Sequence, residues 1–321
     1  MKYNKLTLSV LITVLFHFGC QNQTLYAQST VSVNPGLKGF YIGAGTGYAL
    51  TQIRNDFAQE DPAISMNFRT RPLVNVEIGH FFSENFGLVT GLSYSSYGSQ
   101  TVISDYNSKI QTVDIENDTY ELTIEGSDIE EKEEIQVLGV PVSFIYHSAI
   151  SNKTGFFLMT GVNLSVPLKE RYENSGVFTC RGYFPDYNVT LENLPEYGFP
   201  KDLKFESDGN LLVKRINYMV HFVGGFDYFL SNSVQIAVSA FYERSISNIS
   251  DYSVSQDFRI LQDQQINSIM SGSRKTNLQS FGVKLGIRYY LGKHDDFSNI
   301  SDQTSKKNLK AYLRNKKKYF N

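Results

Sequence analysis

The chain has 321 residues, 41% hydrophobic and 19% charged, with 24 glycines, eight prolines, no tryptophan and a net charge of -2. That length suits one large or two small domains, and the composition excludes disorder throughout. With no basic body to hold a polyanion, no nucleic-acid partner is expected.

The N-terminus reads Met1-Lys2-Tyr3-Asn4-Lys5, then an apolar run from Leu6 to Phe18, then polar residues up to Ala27-Gln28. A basic start, an apolar stretch and a small residue before the cut predict a signal peptide over 1–27, cleaved between Ala27 and Gln28. Gly19-Cys20 directly after the apolar run offers an alternative, acylation of Cys20. Ordinary cleavage leaves Cys180 alone, so no internal disulfide is expected. Residues 28–38 read as a linker with a turn signal at Asn34-Pro35-Gly36. No later run of about 18 apolar residues follows, which excludes a helical membrane span.

From Gly39 the hydropathy alternates. The first predicted strand sets Phe40, Ile42, Ala44, Tyr48 and Leu50 against Tyr41, Gly43, Gly45 and Gly47. Thr51 to Asn67 reads as loop. The second strand, Phe68 to Phe82, places Val74, Val76 and Ile78 opposite Asn75, Glu77 and Gly79. Ser83-Glu84-Asn85 turns the chain into a third strand with Phe86, Leu88, Leu92 and Tyr94 on one face. Gly98 to Glu134 reads as a long acidic loop in which Thr119 to Ile124 can continue as strand, and its carboxylates from Glu125 to Glu134 read as a solvated charge run without the ligand spacing of a metal cage. The fourth strand, Ile135 to Ser148, and the fifth, Gly155 to Leu168, flank the turn Ser151-Asn152-Lys153. Lys169 to Asp208 is the longest expected excursion. Strands six, about Leu212 to Leu230, and seven, Ser233 to Tyr242, are joined at Ser231-Asn232, and a polar loop from Glu243 to Thr276 leads to the last strand, Phe281 to Leu291.

That last strand alternates Phe281, Val283, Leu285, Ile287 and Tyr289 with Gly282, Lys284, Gly286 and Arg288, a strict period of two. Its pairing with the first strand would close a barrel. Links between strands two and three, four and five, and six and seven are roughly two to six residues, whereas the other links are roughly 17 to 45. Long loops therefore gather at one end, as in an eight-stranded antiparallel transmembrane β-barrel with short periplasmic turns and long extracellular loops. The competing fold is a soluble lipocalin-like barrel with its apolar face inward. Glycine, serine and isolated charge on the second face, together with aromatics near strand ends, favour lipid outside.

Gln136-Val137-Leu138-Gly139-Val140-Pro141-Val142, Ser83-Glu84-Asn85-Phe86-Gly87-Leu88 and the closing Gly282 to Tyr289 resemble the PorT-like outer-membrane β-barrel domain family over Gly39 to Leu291. The resemblance implies an eight-stranded barrel in a Gram-negative outer membrane, in a family where many members have no assigned activity. The chain departs from a minimal member in its large third loop and in the tail, 292–321, which carries eight basic residues against three acidic ones.

The lumen of an eight-stranded barrel is filled by side chains, so inward charges must pair across it. Glu77 and Asp227 are expected to compensate Lys284 and Arg288, with Asn75, Asn163, His221 and Gln235 completing a polar plug. His80, His147, His221 and His294 do not assemble a triad or metal site in sequence, so no catalysis, cofactor or metal is expected; a nucleophile beside His221 would raise a membrane hydrolase. The expected partners are outer-membrane lipid and lipopolysaccharide, and a protein met through the loops or the basic periplasmic tail. The leading reading is a non-enzymatic barrel with a structural or interaction role. The alternative is a narrow channel or an accessory of a secretion or nutrient-uptake complex.

Overall fold

The computed structural model describes residues 37–56, 63–151, 153–251, 267–273 and 275–291. The signal peptide, its cleavage point, nearly all of the linker and the basic tail lie outside these residues.

Among the described residues ten strands follow in order: β1 Gly39–Asn55, β2 Ile64–Phe81, β3 Phe86–Val113, β4 Thr119–Ala149, β5 Thr154–Phe184, β6 Val189–Glu192, β7 Leu203–Gly209, β8 Asn217–Phe229, β9 Val234–Ser245 and β10 Thr276–Tyr290. Eight of them form a closed antiparallel ring, β1-β2-β3-β4-β5-β8-β9-β10, with β10 returning to β1. In the closing pair Ala44 faces Ile287 and Gly45 faces Gly286, as the alternation predicts. Closure satisfies every edge of the ring, which is what lets strands cross hydrocarbon.

The apolar face points outward. Leu285 and Ile287 are 55% and 51% exposed, whereas Arg288 is 5% exposed. The same holds for Val74, Val76 and Ile78 on β2 and for Leu138, Val140, Val142 and Phe144 on β4. Phe40, Phe82, Phe86, Tyr228 and Tyr289 ring the turn end, and Tyr48 and Phe281 the other, where aromatics sit at a bilayer's two interfaces. Among the described residues no helix is long and apolar enough to cross a membrane.

At the turn end, links of four residues join β2 to β3, β4 to β5 and β8 to β9. The other end differs from the loops expected there. Gly98 to Glu134 is mostly strand: β3 and β4 continue far past the ring and meet in a hairpin at residues 114–118. The expected excursion after Leu168 holds the upper half of β5 with β6 and β7 paired against it. The outward face explains both the extension and its loop-like sequence. On β4 it is apolar from Tyr146 to Leu138, about the length that spans a bilayer, then becomes Glu134, Lys132, Glu130, Glu125 and Glu121, while Tyr120, Leu122, Ile124, Ile129 and Ile135 stay buried inside. Ion pairs tie these outward charges across strands, Lys109 to Glu121 at 3.0 Å, Arg171 to Glu134 at 3.1 Å and Arg181 to Glu125. The extension therefore stands in water with an apolar core of its own, Tyr120, Ile124, Ile129, Phe178, Phe199 and Phe205 among its members.

Candidate functional site

The eight polar residues expected to fill the lumen all project from the inner face of the ring, and the register decides which of them meet. Gly43 on β1 is paired with Glu77 on β2 and with Arg288 on β10. A glycine in the middle of that row leaves room for the two long side chains to cross it: a Cβ at Gly43 would stand 3.0 Å from Glu77 Cγ and 3.2 Å from Arg288 Cγ. Arg288 Nε donates to Glu77 Oε1 at 2.8 Å. The guanidinium also lies 4.5 Å from the centre of the Phe157 ring and 5.3 Å from that of Tyr41, so the charge is held by one carboxylate and two aromatic faces. Asn75 Nδ2 reaches Glu77 Oε2 at 3.5 Å.

The other expected compensation is different. Asp227 turns to His147, 3.1 Å away, rather than to Lys284 or Arg288, because β8 delivers it one row nearer the turn end, beside Gly155. A side chain on Gly155 would collide with both, at 2.4 Å from His147 Nε2 and 2.7 Å from Asp227 Oδ1. Lys284 lies with Nζ 4.3 Å from the centre of the Phe241 ring. Asn163 Nδ2 donates to Glu243 at 2.9 Å, and Gln235 accepts from the Tyr290 hydroxyl at 3.1 Å. His221 Nε2 and Ser143 Oγ are 2.7 Å apart, both buried.

Glu243, Tyr97 and His147 join this layer from outside the expected set. Glu243 accepts from the Tyr97 hydroxyl at 2.6 Å, and His147 holds Asp227. Each continues an inward parity already visible: Glu243 follows Gln235, Ala237 and Ser239 on β9, Tyr97 follows Ser93 and Ser95 on β3, and His147 follows Ser143 on β4. Extending the period of two by one or two residues would have found them.

The plug is also less polar than expected. Tyr41, Phe81, Phe157, Phe229 and Tyr290 fill the lumen toward the turns, and Ile53, Ile135, Leu278 and Met270 fill it toward the extension. Two cavities lie along the polar middle layer, one of about 70 Å³ lined by residues including Ser143, His221, Glu243 and Lys284, the other of about 50 Å³ bordered by Glu77 and Arg288. Each has room for no more than a few waters. Among the described residues no group of three or more histidine, cysteine or acidic side chains could hold a metal ion.

A family model described as an outer membrane protein beta-barrel domain matches residues 21–251. No curated protein sequence matches the chain. Among solved structures, the Neisserial surface protein NspA aligns over 79% of this chain and 98% of its own at 10% identity and a TM-score of 0.35. OprG of Pseudomonas aeruginosa aligns over 80% and 99% at 13% identity and 0.37. Ail of Yersinia pestis, the attachment invasion locus protein, aligns over 79% and 100% at 8% identity and 0.30.

Proposed function

Given that the chain belongs to the outer membrane protein beta-barrel domain family and crosses the Gram-negative outer membrane as a closed ring, we propose that it is a non-enzymatic barrel with a structural or interaction role. In this reading the membrane ring is an anchor and the β3-β4-β5 extension, with β6 and β7, is the working surface presented outside the cell. The observation that carries it is the filled lumen: among the described residues the Arg288–Glu77 pair and the aromatic layer beneath it occupy it, beside cavities of about 70 and 50 Å³. The extension supports it too, since its own apolar core makes it a rigid platform rather than a set of loose loops, and rigid scaffolds are what position recognition residues. The quoted motifs further support a PorT-like member of the family, and the basic tail at 292–321 is assigned to the periplasmic side, where a protein could meet it. Single-channel recording in a planar bilayer tests the filled lumen: no ion current is expected, and stable unitary conductance would replace this reading with the narrow channel.

One contact favours a second reading. Ser143 lies 2.7 Å from His221, and β9 places Glu243 directly across from His221, the residue types of a hydrolytic triad. Against it, Ser143 is buried, the adjoining cavity of about 70 Å³ has no room for an acyl chain, and the strand amides around it are committed to the ladder rather than aimed as an oxyanion hole. A fluorophosphonate probe separates the two: no label is expected, and labelling lost in Ser143→Ala would establish the hydrolase.

A further inference from the structure

The acidic run on β4 does not lie wholly in solvent. Glu131 and Glu133 face the interior of the extension and are 0% exposed. They meet the segment that leads into β10, where Ser268 and the 3-10 turn Ile269–Gly272 fold into the barrel mouth. Glu131 accepts from the Ser268 hydroxyl at 2.7 Å and from the Ile269 amide at 2.8 Å. Glu133 accepts from Ser99.

Around this pair the structure sets further oxygens. Thr101 on β3 is paired with Glu131, and Asn174 on β5 is paired with Glu131 from the other side. All three are buried on the same inner face, so their side chains stand in one row with Cβ atoms about 5 Å apart. Within that row and beside it, Thr101 Oγ1 and Asn174 Oδ1 are buried with no hydrogen-bond partner, and the Glu131 and Glu133 carboxyls lie close enough to hydrogen-bond each other. The nearby cations face away: Lys132 pairs with Glu130 at 2.9 Å and Arg171 with Glu134, both on the outer surface.

We propose that Glu131, Glu133, Thr101 and Asn174 form a binding site for one hard divalent cation of the calcium class, which ties β3, β4 and β5 to the Ser268–Ser271 segment across the barrel mouth. The donor set is all oxygen, two carboxylates with one hydroxyl and one amide, and its irregular arrangement across three strands suits the flexible coordination of calcium better than the strict octahedron of magnesium. An open hollow lined by Glu130, Lys132, Glu173, Asn174, Glu206 and Asp208 lies on the outer face of the same strands, and its net negative charge raises the local concentration of cations.

The test is calorimetric titration of chelator-treated protein in detergent micelles with calcium chloride, with magnesium chloride in parallel. One calcium site is expected, with a higher unfolding temperature on saturation and weaker binding of magnesium. Thr101→Val and Asn174→Leu should each weaken calcium binding by roughly 10- to 100-fold, and Glu133→Gln should abolish it. Glu206→Gln with Asp208→Asn should slow binding while leaving the site occupied at saturation. Heat-modifiable gel migration establishes for every variant that the barrel has formed. The proposal is overturned if wild-type protein takes up no calcium, if Thr101→Val and Asn174→Leu bind like wild type, or if the Glu206 and Asp208 substitutions remove binding that Glu133→Gln retains.

Discussion

Replacing Glu77 by glutamine keeps the shape of the lumen and removes the charge that neutralises Arg288. The guanidinium is 5% exposed and its one ion-pair partner among the described residues is Glu77, at 2.8 Å. At an effective dielectric near 20, unit charges about 4 Å apart attract by roughly 4 kcal/mol. A hydrogen bond to the new amide recovers about 1 kcal/mol. Glu77→Gln is therefore expected to destabilise the barrel by about 3 kcal/mol, within the range found when one member of a buried pair is removed. Glu77→Leu combined with Arg288→Met removes both charges and should recover most of that loss. Urea unfolding in micelles, followed by the shift between folded and unfolded gel bands, measures all three proteins. A single variant within about 0.5 kcal/mol of wild type, the usual effect of a neutral substitution, would refute the reasoning, as would a double variant weaker than the single one.

Gly43→Ala should cost about 1 to 3 kcal/mol by overpacking, because the new methyl meets Glu77 and Arg288 at 3.0 and 3.2 Å, whereas Gly286→Ala, whose nearest neighbour is 3.4 Å away, should be close to neutral; the same urea titration checks both. Gly155→Ala should separate His147 from Asp227, read as a fall in unfolding temperature that Gly286→Ala does not share. Cys180 is buried in the core of the extension and burial pushes its thiol up to about 11, so iodoacetamide should modify it far more slowly in folded than in urea-unfolded protein at pH 8; equal rates would show the extension open.

The ring was legible because lipid enforces a strict period of two, and Leu285 and Ile287 against Lys284 and Arg288 display it without interruption. Of the extension only Thr119 to Ile124 was, because beyond Leu138 the outward positions become Glu134, Lys132 and Glu130, and a strand with a charged face reads as loop when its inward face also carries Glu131 and Glu133. A register shift near Ser127 and Glu130 breaks the alternation further. Within the lumen, parity turns Glu77 and Arg288 inward, and it is the register, in which both align with Gly43, that brings them together. The pairing of Asp227 with His147 is not legible, because parity turns both inward without bringing β4 and β8 together across β5. Glu243 follows Tyr242, where the predicted strand ends and a polar residue reads as the start of a loop, although its parity points into the barrel.

The central claim is that the greasy face of each strand meets lipid. The chain contains no tryptophan, so single tryptophans can report it directly by fluorescence quenching in vesicles of brominated phospholipid. Leu285→Trp and Ile287→Trp should be strongly quenched and Phe241→Trp, placed in the lumen, should remain bright. Quenching of Phe241→Trp with Leu285→Trp and Ile287→Trp left bright would contradict the account.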